Sequence, residues 1–184
     1  MRVFKTPRAR FAVLMADLEM ESADMPAAEK KFRRLLADRE FQSNPEMAAY
    51  CSFALSVALE CQVADKEKRK ESEAILEKFL PGKPFSQTVI APRALLRYAN
   101  SIQDFNDPKN LVRRMKCYEY IVKTFPKHEA ADYALFYQAS PFYLRKQYAE
   151  AIPGLEAYLK RFPEGKFAKA AKEFLADAKA KLAK

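Results

Sequence analysis

Metal binding or covalent catalysis in this chain would have to start from His128, the only histidine, and from Cys51, Cys61 and Cys117. Their spacing supports neither. Zinc sites bring Cys and His together in closely spaced pairs, and no such pair occurs here. His128 lies in Phe125-Pro-Lys-His-Glu129, a break between helical patterns, and reads as a turn or capping residue. Cys51 and Cys61 would stand roughly 15 Å apart on one helix, too far to bridge. An odd cysteine count without pattern argues against a disulfide framework. The cysteines therefore read as small core residues, and the default compartment is a reducing one. Gly82, Gly154 and Gly165 are isolated, so no glycine-rich phosphate loop can form. No residue order points to a Ser-His-Asp or Cys-His set. The expectation is a protein that is not an enzyme and needs no cofactor or metal.

Charge offers a second kind of chemistry. The chain carries 33 basic and 24 acidic residues, a net +9, which suits nucleic acid, an anionic surface or an acidic protein partner. The excess is uneven. From Lys160 to Lys184 eight basic residues face three acidic ones, and Arg2, Lys5, Arg8 and Arg10 stand near the start. Lys169, Lys172, Lys179 and Lys181 form a candidate basic patch that could grip phosphates without reading sequence. Elsewhere, as in Asp65-Lys-Glu-Lys-Arg-Lys-Glu-Ser-Glu73, the signs interleave as on a solvated helix face.

Those groups need elements to position them, and the elements read as helices. Three glycines in 184 residues are few for a sheet protein. The eleven prolines mostly fall between apolar segments. Phe11, Leu14, Met15 and Leu18 give the i, i+3, i+4, i+7 spacing of a helix face, and Phe32, Leu35 and Leu36 continue it on a second helix. Asp24-Met-Pro26 and Asn44-Pro45 pair an N-cap residue with a first-turn proline. The fourth helix covers about 65–80 and the fifth runs from Thr88 or Pro92 to Phe105. Asn106-Asp-Pro108 is a strong break. Further helices span about 108–124, 129–145, 147–161 and 165 to the end. No run of about 18 apolar residues occurs. Phe11-Ala-Val-Leu-Met-Ala16 is too short for a signal-peptide core, so the expected location is cytoplasmic, with a periplasmic one only for a mature or truncated form.

Hairpins of these helices repeat. Phe32, Ile75, Tyr118 and Leu155 coincide when four copies are overlaid, and Leu36, Phe79, Val122 and Leu159 form the next layer. On the preceding helices Ala12, Leu55, Tyr98 and Leu135 coincide, as do Ala16, Leu59, Ile102 and Ala139. The copies cover about 8–41, 45–81, 88–126 and 129–163. Each hairpin would bury its apolar face against a neighbour. Phe167, Ala171, Phe174, Leu175, Ala178 and Leu182 then make a single stripe on a capping helix of about 165–184, with lysines opposite.

The chain resembles the tetratricopeptide repeat family. The last copy carries the pattern in order: Leu135, Ala139 and Phe142, then Tyr148, Ala151, Leu155, Tyr158 and Pro163. The Phe-Pro endings at Phe125-Pro126 and Phe162-Pro163 are similar to repeats of bacterial envelope accessory proteins, such as outer-membrane assembly lipoproteins and the Tol–Pal accessory factor. The resemblance is fullest over about 130–166, weaker over 88–127, and earlier rests on the hydrophobic columns. Three departures stand out. Arg114 replaces the small residue matching Ala151, Lys146 stands where the family usually has a turn glycine, and Pro141 and Pro153 fall inside helices.

The resemblance implies an all-α, right-handed solenoid of about four hairpins plus the C-terminal cap, forming one domain over 1–184. It implies a groove lined by the first helix of each hairpin, holding a peptide, a helix or a neighbouring subunit. Carried over by position, the candidate partner-binding residues are Tyr133, Phe136, Tyr137, Ser140 and Tyr143 in the last hairpin and Asn100, Gln103 and Asn106 in the third. The tyrosines would be rigid anchors and the amides backbone partners. The expected function is a protein–protein scaffold, adaptor or assembly subunit. The alternative is a basic helical protein docking on nucleic acid or an acidic assembly through its termini.

Overall fold

A computed structural model describes residues 6–62, 64–103 and 107–183, the side chains of Pro7, Arg8, Phe11 and Leu18 excepted. Among the described residues there are helices and no strand. They gather into two compact units, Met1–Ser101 and Ile102–Lys184. The boundary falls inside the stretch assigned to the third hairpin. Asn106, one of the candidate residues, lies outside the described residues.

The first unit holds α1 (Pro7–Glu21), α2 (Met25–Ala37), the single turn α3 (Arg39–Gln42), α4 (Pro45–Glu60), α5 (Lys66–Leu76) and α6 (Ala91–Ser101). α1 packs on α2, α2 on α4, α4 on α5, and α5 on α6. Their starts follow from side-chain chemistry. Asp24, Asp38, Asn44 and Asp65 each accept a hydrogen bond from a backbone N–H of the first turn, which satisfies donors that a helix leaves open. α3 had no counterpart in the periodicity, because one turn is too short to show a period. α5 ends earlier than the sequence suggests and passes into a 3-10 turn at Glu77–Phe79.

The second unit holds α7 (Pro108–Thr124), α8 (Ala130–Leu144), α9 (Tyr148–Arg161) and α10 (Ala168–Leu182), each packed on the next, with α10 also touching α8. Asp107 caps α7, and Pro108 occupies its first turn. His128 Nδ1 accepts the Ala130 N–H at 3.0 Å, so the single histidine caps α8, as its loop position suggested.

Two of the four repeat columns are buried throughout, and the other two in part. Phe32, Ile75, Tyr118 and Leu155 all lie in the interior, as do Ala16, Leu59, Ile102 and Ala139. Removing one large apolar side chain of this set from water contributes about 1.5–3 kcal/mol. The turns repeat as well. Ala23 and Lys146 are the described non-glycine residues with positive φ, at 62° and 61°. The overlay that lays Phe32 on Leu155 also lays Ala23 on Lys146. In both turns the N–H of this residue and of its successor reach back to the helix just ended, Ala23 to Met20 and Asp24 to Glu19, Lys146 to Tyr143 and Gln147 to Phe142. This is the double closure that ends helices at a left-handed residue, usually glycine. Lys146 therefore holds a left-handed conformation that ordinarily favours glycine.

The prolines inside helices are accommodated. Pro141 lies in the last turn of α8, and Pro153 lies within α9, which continues to Arg161. Beside Pro153, Gly154 permits a close helix approach: a Cβ there would stand 2.7 Å from Ala139 Cβ.

Three expectations need correction. Leu14 is exposed and α1 buries Ala9, Val13 and Ala16 instead, because small residues let it settle close on α2. Phe11 and Leu18 fall outside the described side chains. Cys51 and Cys117 are core residues, but Cys61 is exposed at the C-terminal cap of α4, past the last turn that faces α5. Leu182 is exposed at the C-terminal end of α10, so the apolar stripe stops near Ala178.

Candidate partner-binding site

The first-helix aromatics of the last hairpin divide into two groups. Phe136 is buried, at 6% exposure, and stacks on Phe167 with centroids 4.5 Å apart and planes 6° from parallel. Its edge meets Tyr158 at 5.6 Å. It is a core residue, because α10 lies over the face of α8 that a partner would have to reach. Tyr143 is also occupied. Its ring stacks on Phe174 at 4.1 Å and its hydroxyl donates to Asp177 Oδ2 at 3.0 Å, which pushes its phenol above the ordinary range. Tyr133 meets Phe167 edge-on at 4.9 Å, and Lys166 donates to its hydroxyl. These three hold α10 in place.

The polar centre of that junction is a pair the sequence did not single out. Tyr158, fully buried on α9, donates to Asp132 Oδ1 on α8 at 2.6 Å and accepts the Phe167 N–H at 3.0 Å. Asp132 Oδ2 accepts the Lys166 N–H at 2.8 Å. Burial, reinforced by the Asp132 carboxylate, pushes the Tyr158 phenol far up. Gly165 is required in this turn, since a Cβ would meet the Tyr158 hydroxyl at 2.5 Å. Tyr158 was marked only through the family resemblance of the last copy, and Asp132 carries no periodic signal.

Tyr137 also meets Phe167 edge-on at 5.7 Å, but with Ser140 it reaches a second space. Together they line a pocket of about 260 Å³ between α7 and α8. Leu111 and Arg114 complete its α7 wall, and Pro141, Leu144 and Arg145 its α8 wall. Ser140 is buried and Tyr137 half-buried, with its ring stacked on Tyr118 at 6.1 Å. Arg114 is buried and donates to the Tyr118 hydroxyl at 3.0 Å. Burial raises the Tyr118 phenol against the opposing effect of Arg114. Leu144 is 70% exposed, an unusual condition for a leucine beside an apolar pocket. Sequence reasoning missed Leu111, Leu144 and Arg145. One partial signal was present: of the departures Arg114, Pro141, Lys146 and Pro153, the first two line this pocket and Lys146 follows Arg145, whereas Pro153 lies away from it on α9.

Asn100, exposed on α6, shares a shallow depression of the first unit with Phe53, Glu60, Arg93 and Arg97. Arg97 Nη2 pairs with Glu60 Oε2 there at 2.7 Å. Gln103 is exposed, and its backbone carbonyl accepts from Asn110 Nδ2 at 2.9 Å.

The candidate basic patch is interrupted by acidic residues. Lys169, Lys172, Lys179 and Lys181 are all exposed on α10. Lys179 pairs with Glu156 at 2.7 Å, and Lys169 and Lys172 share a depression with Glu164 and Glu173. Among the described residues no helix is long and apolar enough to cross a membrane. Comparison with protein-family models, curated proteins and solved structures gives no match for this chain.

Proposed function

We propose that this chain is a non-enzymatic scaffold, adaptor or assembly subunit that holds a partner protein, built as a right-handed solenoid of four tetratricopeptide-like hairpins with α10 as its cap. The two fully buried repeat columns and the paired left-handed turns at Ala23 and Lys146 support the repeat reading. The observation that carries the function is the apolar pocket between α7 and α8, with Leu144 exposed at its edge. A pocket lined by Tyr137, Leu111 and Pro141 loses free energy by staying wet, and a partner side chain would relieve that cost.

The test is affinity capture from native lysate with wild type and Leu144→Asp, with and without nuclease. A stoichiometric protein retained by wild type after nuclease, and lost with Leu144→Asp, is the expected result. Capture unaffected by Leu144→Asp refutes the assignment of the site. Tyr137→Ala is the poorer variant, since Tyr137 also packs on Tyr118 and Phe167. The exposed lysines of α10 favour one alternative, docking on nucleic acid. Recovery that collapses on nuclease treatment, and with Lys169→Glu, would establish it. For the solenoid, X-ray scattering should give a radius of gyration well above the roughly 16 Å of a compact chain this long.

A further inference from the structure

The α7–α8 pocket also carries information about the chemistry of its occupant. Its walls are apolar at Leu111, Tyr137, Pro141 and Leu144, and its charged lining groups are both guanidiniums, Arg114 and Arg145. No carboxylate lines it. From Pro108 to Tyr118, α7 bears Lys109, Arg113, Arg114 and Lys116 and no acidic residue, and Lys146 follows Arg145 in the next turn. At about 260 Å³ the pocket is smaller than the roughly 300–1,000 Å³ of small-molecule sites, so it suits one or two side chains of a protein segment. Arginine's planar fork matches a carboxylate, and its modest hydration makes it the cation that tolerates an interface.

We infer that the pocket between α7 and α8 receives an acidic segment of a partner protein, in which a large apolar residue such as Leu or Phe is flanked by Asp or Glu. The apolar side chain enters between Leu111, Tyr137 and Pro141. Its acidic neighbours lie against Arg145 and the basic first half of α7. Like charges on a basic segment would be repelled by the same groups, which makes the site selective as well as attractive. This inference rests on the interaction reading and adds the partner's chemistry to it.

The experiment is fluorescence anisotropy on the full chain with three labelled synthetic peptides. One carries Leu and Phe among Asp and Glu, a second replaces the apolar residues by Ser, and a third replaces the acids by Lys. The first is expected to bind, the second about tenfold more weakly, and the third not at all. Arg145→Glu should weaken the first peptide about tenfold or more, and the milder Arg145→Gln should weaken it less. Lys179→Glu on α10 should leave it unchanged. Both arginine variants must keep the wild-type thermal melt to count. Equal binding of the first two peptides overturns the inference, because the pocket would then play no part. An effect of Lys179→Glu equal to that of Arg145→Glu overturns it in favour of general polyanion attraction, as does equal competition by a single-stranded DNA oligonucleotide. Absence of binding by the first peptide also overturns it. If lysate capture still depends on Leu144 in that case, the interaction reading survives with a partner of different chemistry; if capture ignores Leu144, both fall.

Discussion

Replacing Tyr158 by Phe removes one oxygen from the α8–α9–α10 junction and keeps the ring that packs against Phe136 and Phe162. That oxygen makes two bonds, to Asp132 Oδ1 at 2.6 Å and from the Phe167 N–H at 3.0 Å. A hydrogen bond to a charged group contributes about 1.5–3 kcal/mol, and an orphaned backbone N–H costs about 1–3 kcal/mol. The two do not add in full, because Phe167 is only half-buried and water can reach its turn. The expected loss is therefore about 2–4 kcal/mol. Urea unfolding, with labelling of the buried Cys117 thiol as the reporter of the second unit, measures it. Asp132→Asn combined with Tyr158→Phe should cost clearly less than the sum of the single changes. The pH dependence has a fixed sign. The Tyr158 phenol is raised above its ordinary 10.0 in the folded protein, so its contribution is full below that pH and is lost as pH rises beyond it. The gap between wild type and Tyr158→Phe should narrow above about pH 10. A loss under about 1 kcal/mol, or strictly additive single changes, would refute the lock.

Lys146→Gly and Ala23→Gly should each raise stability by about 0.5–1 kcal/mol, since a left-handed residue with a Cβ costs about 1–2 kcal/mol and glycine's entropy returns only part; a thermal melt reads this, and a lower melting temperature sinks the turn assignment. Gly154→Ala should destabilise by about 1–3 kcal/mol by pressing on Ala139, and pairing it with Ala139→Gly should recover much of the loss in urea unfolding. Only Cys61 should react with a chromogenic disulfide reagent in the native chain, while all three cysteines react in denaturant. Burial pushes the Cys51 and Cys117 thiols up to about 12, so they remain protonated and shielded, and their contribution to stability disappears only as pH rises from about 9 toward 12. Glu29 favours the opposite end of the pH scale. Burial alone would raise its carboxyl, but hydrogen bonds from Lys68, Gln62 and Arg33 hold it at about 2. The first unit should therefore lose stability as pH falls from the ordinary 4.5 toward 2, and Glu29→Gln should flatten that profile in acid titration.

The helices, their caps and two fully buried columns of the core were legible in the sequence, because each rests on local chemistry repeated at a helical period. Asp24 and Asn44 announce helix starts through side chains that reach backbone donors two or three residues away, and the structure adds Asp65 and Asp107 to them. Phe32, Ile75, Tyr118 and Leu155 announce a buried face through spacing alone. Lys146 was marked through the resemblance alone, as standing where a turn glycine is usual, and its left-handed conformation comes from the structure. The direction in which an aromatic faces was not legible. Phe136 and Tyr137 are adjacent and chemically alike, yet α10 covers one and leaves the other on a pocket wall. Asp132 becomes the partner of Tyr158 only because α9 brings that hydroxyl within 2.6 Å, and the pocket exists only because α7 and α8 bring Leu111 beside Leu144. Local propensity and periodicity belong to the sequence. Burial, pairing and the shape of a site depend on which helix faces meet, and distant residues determine that.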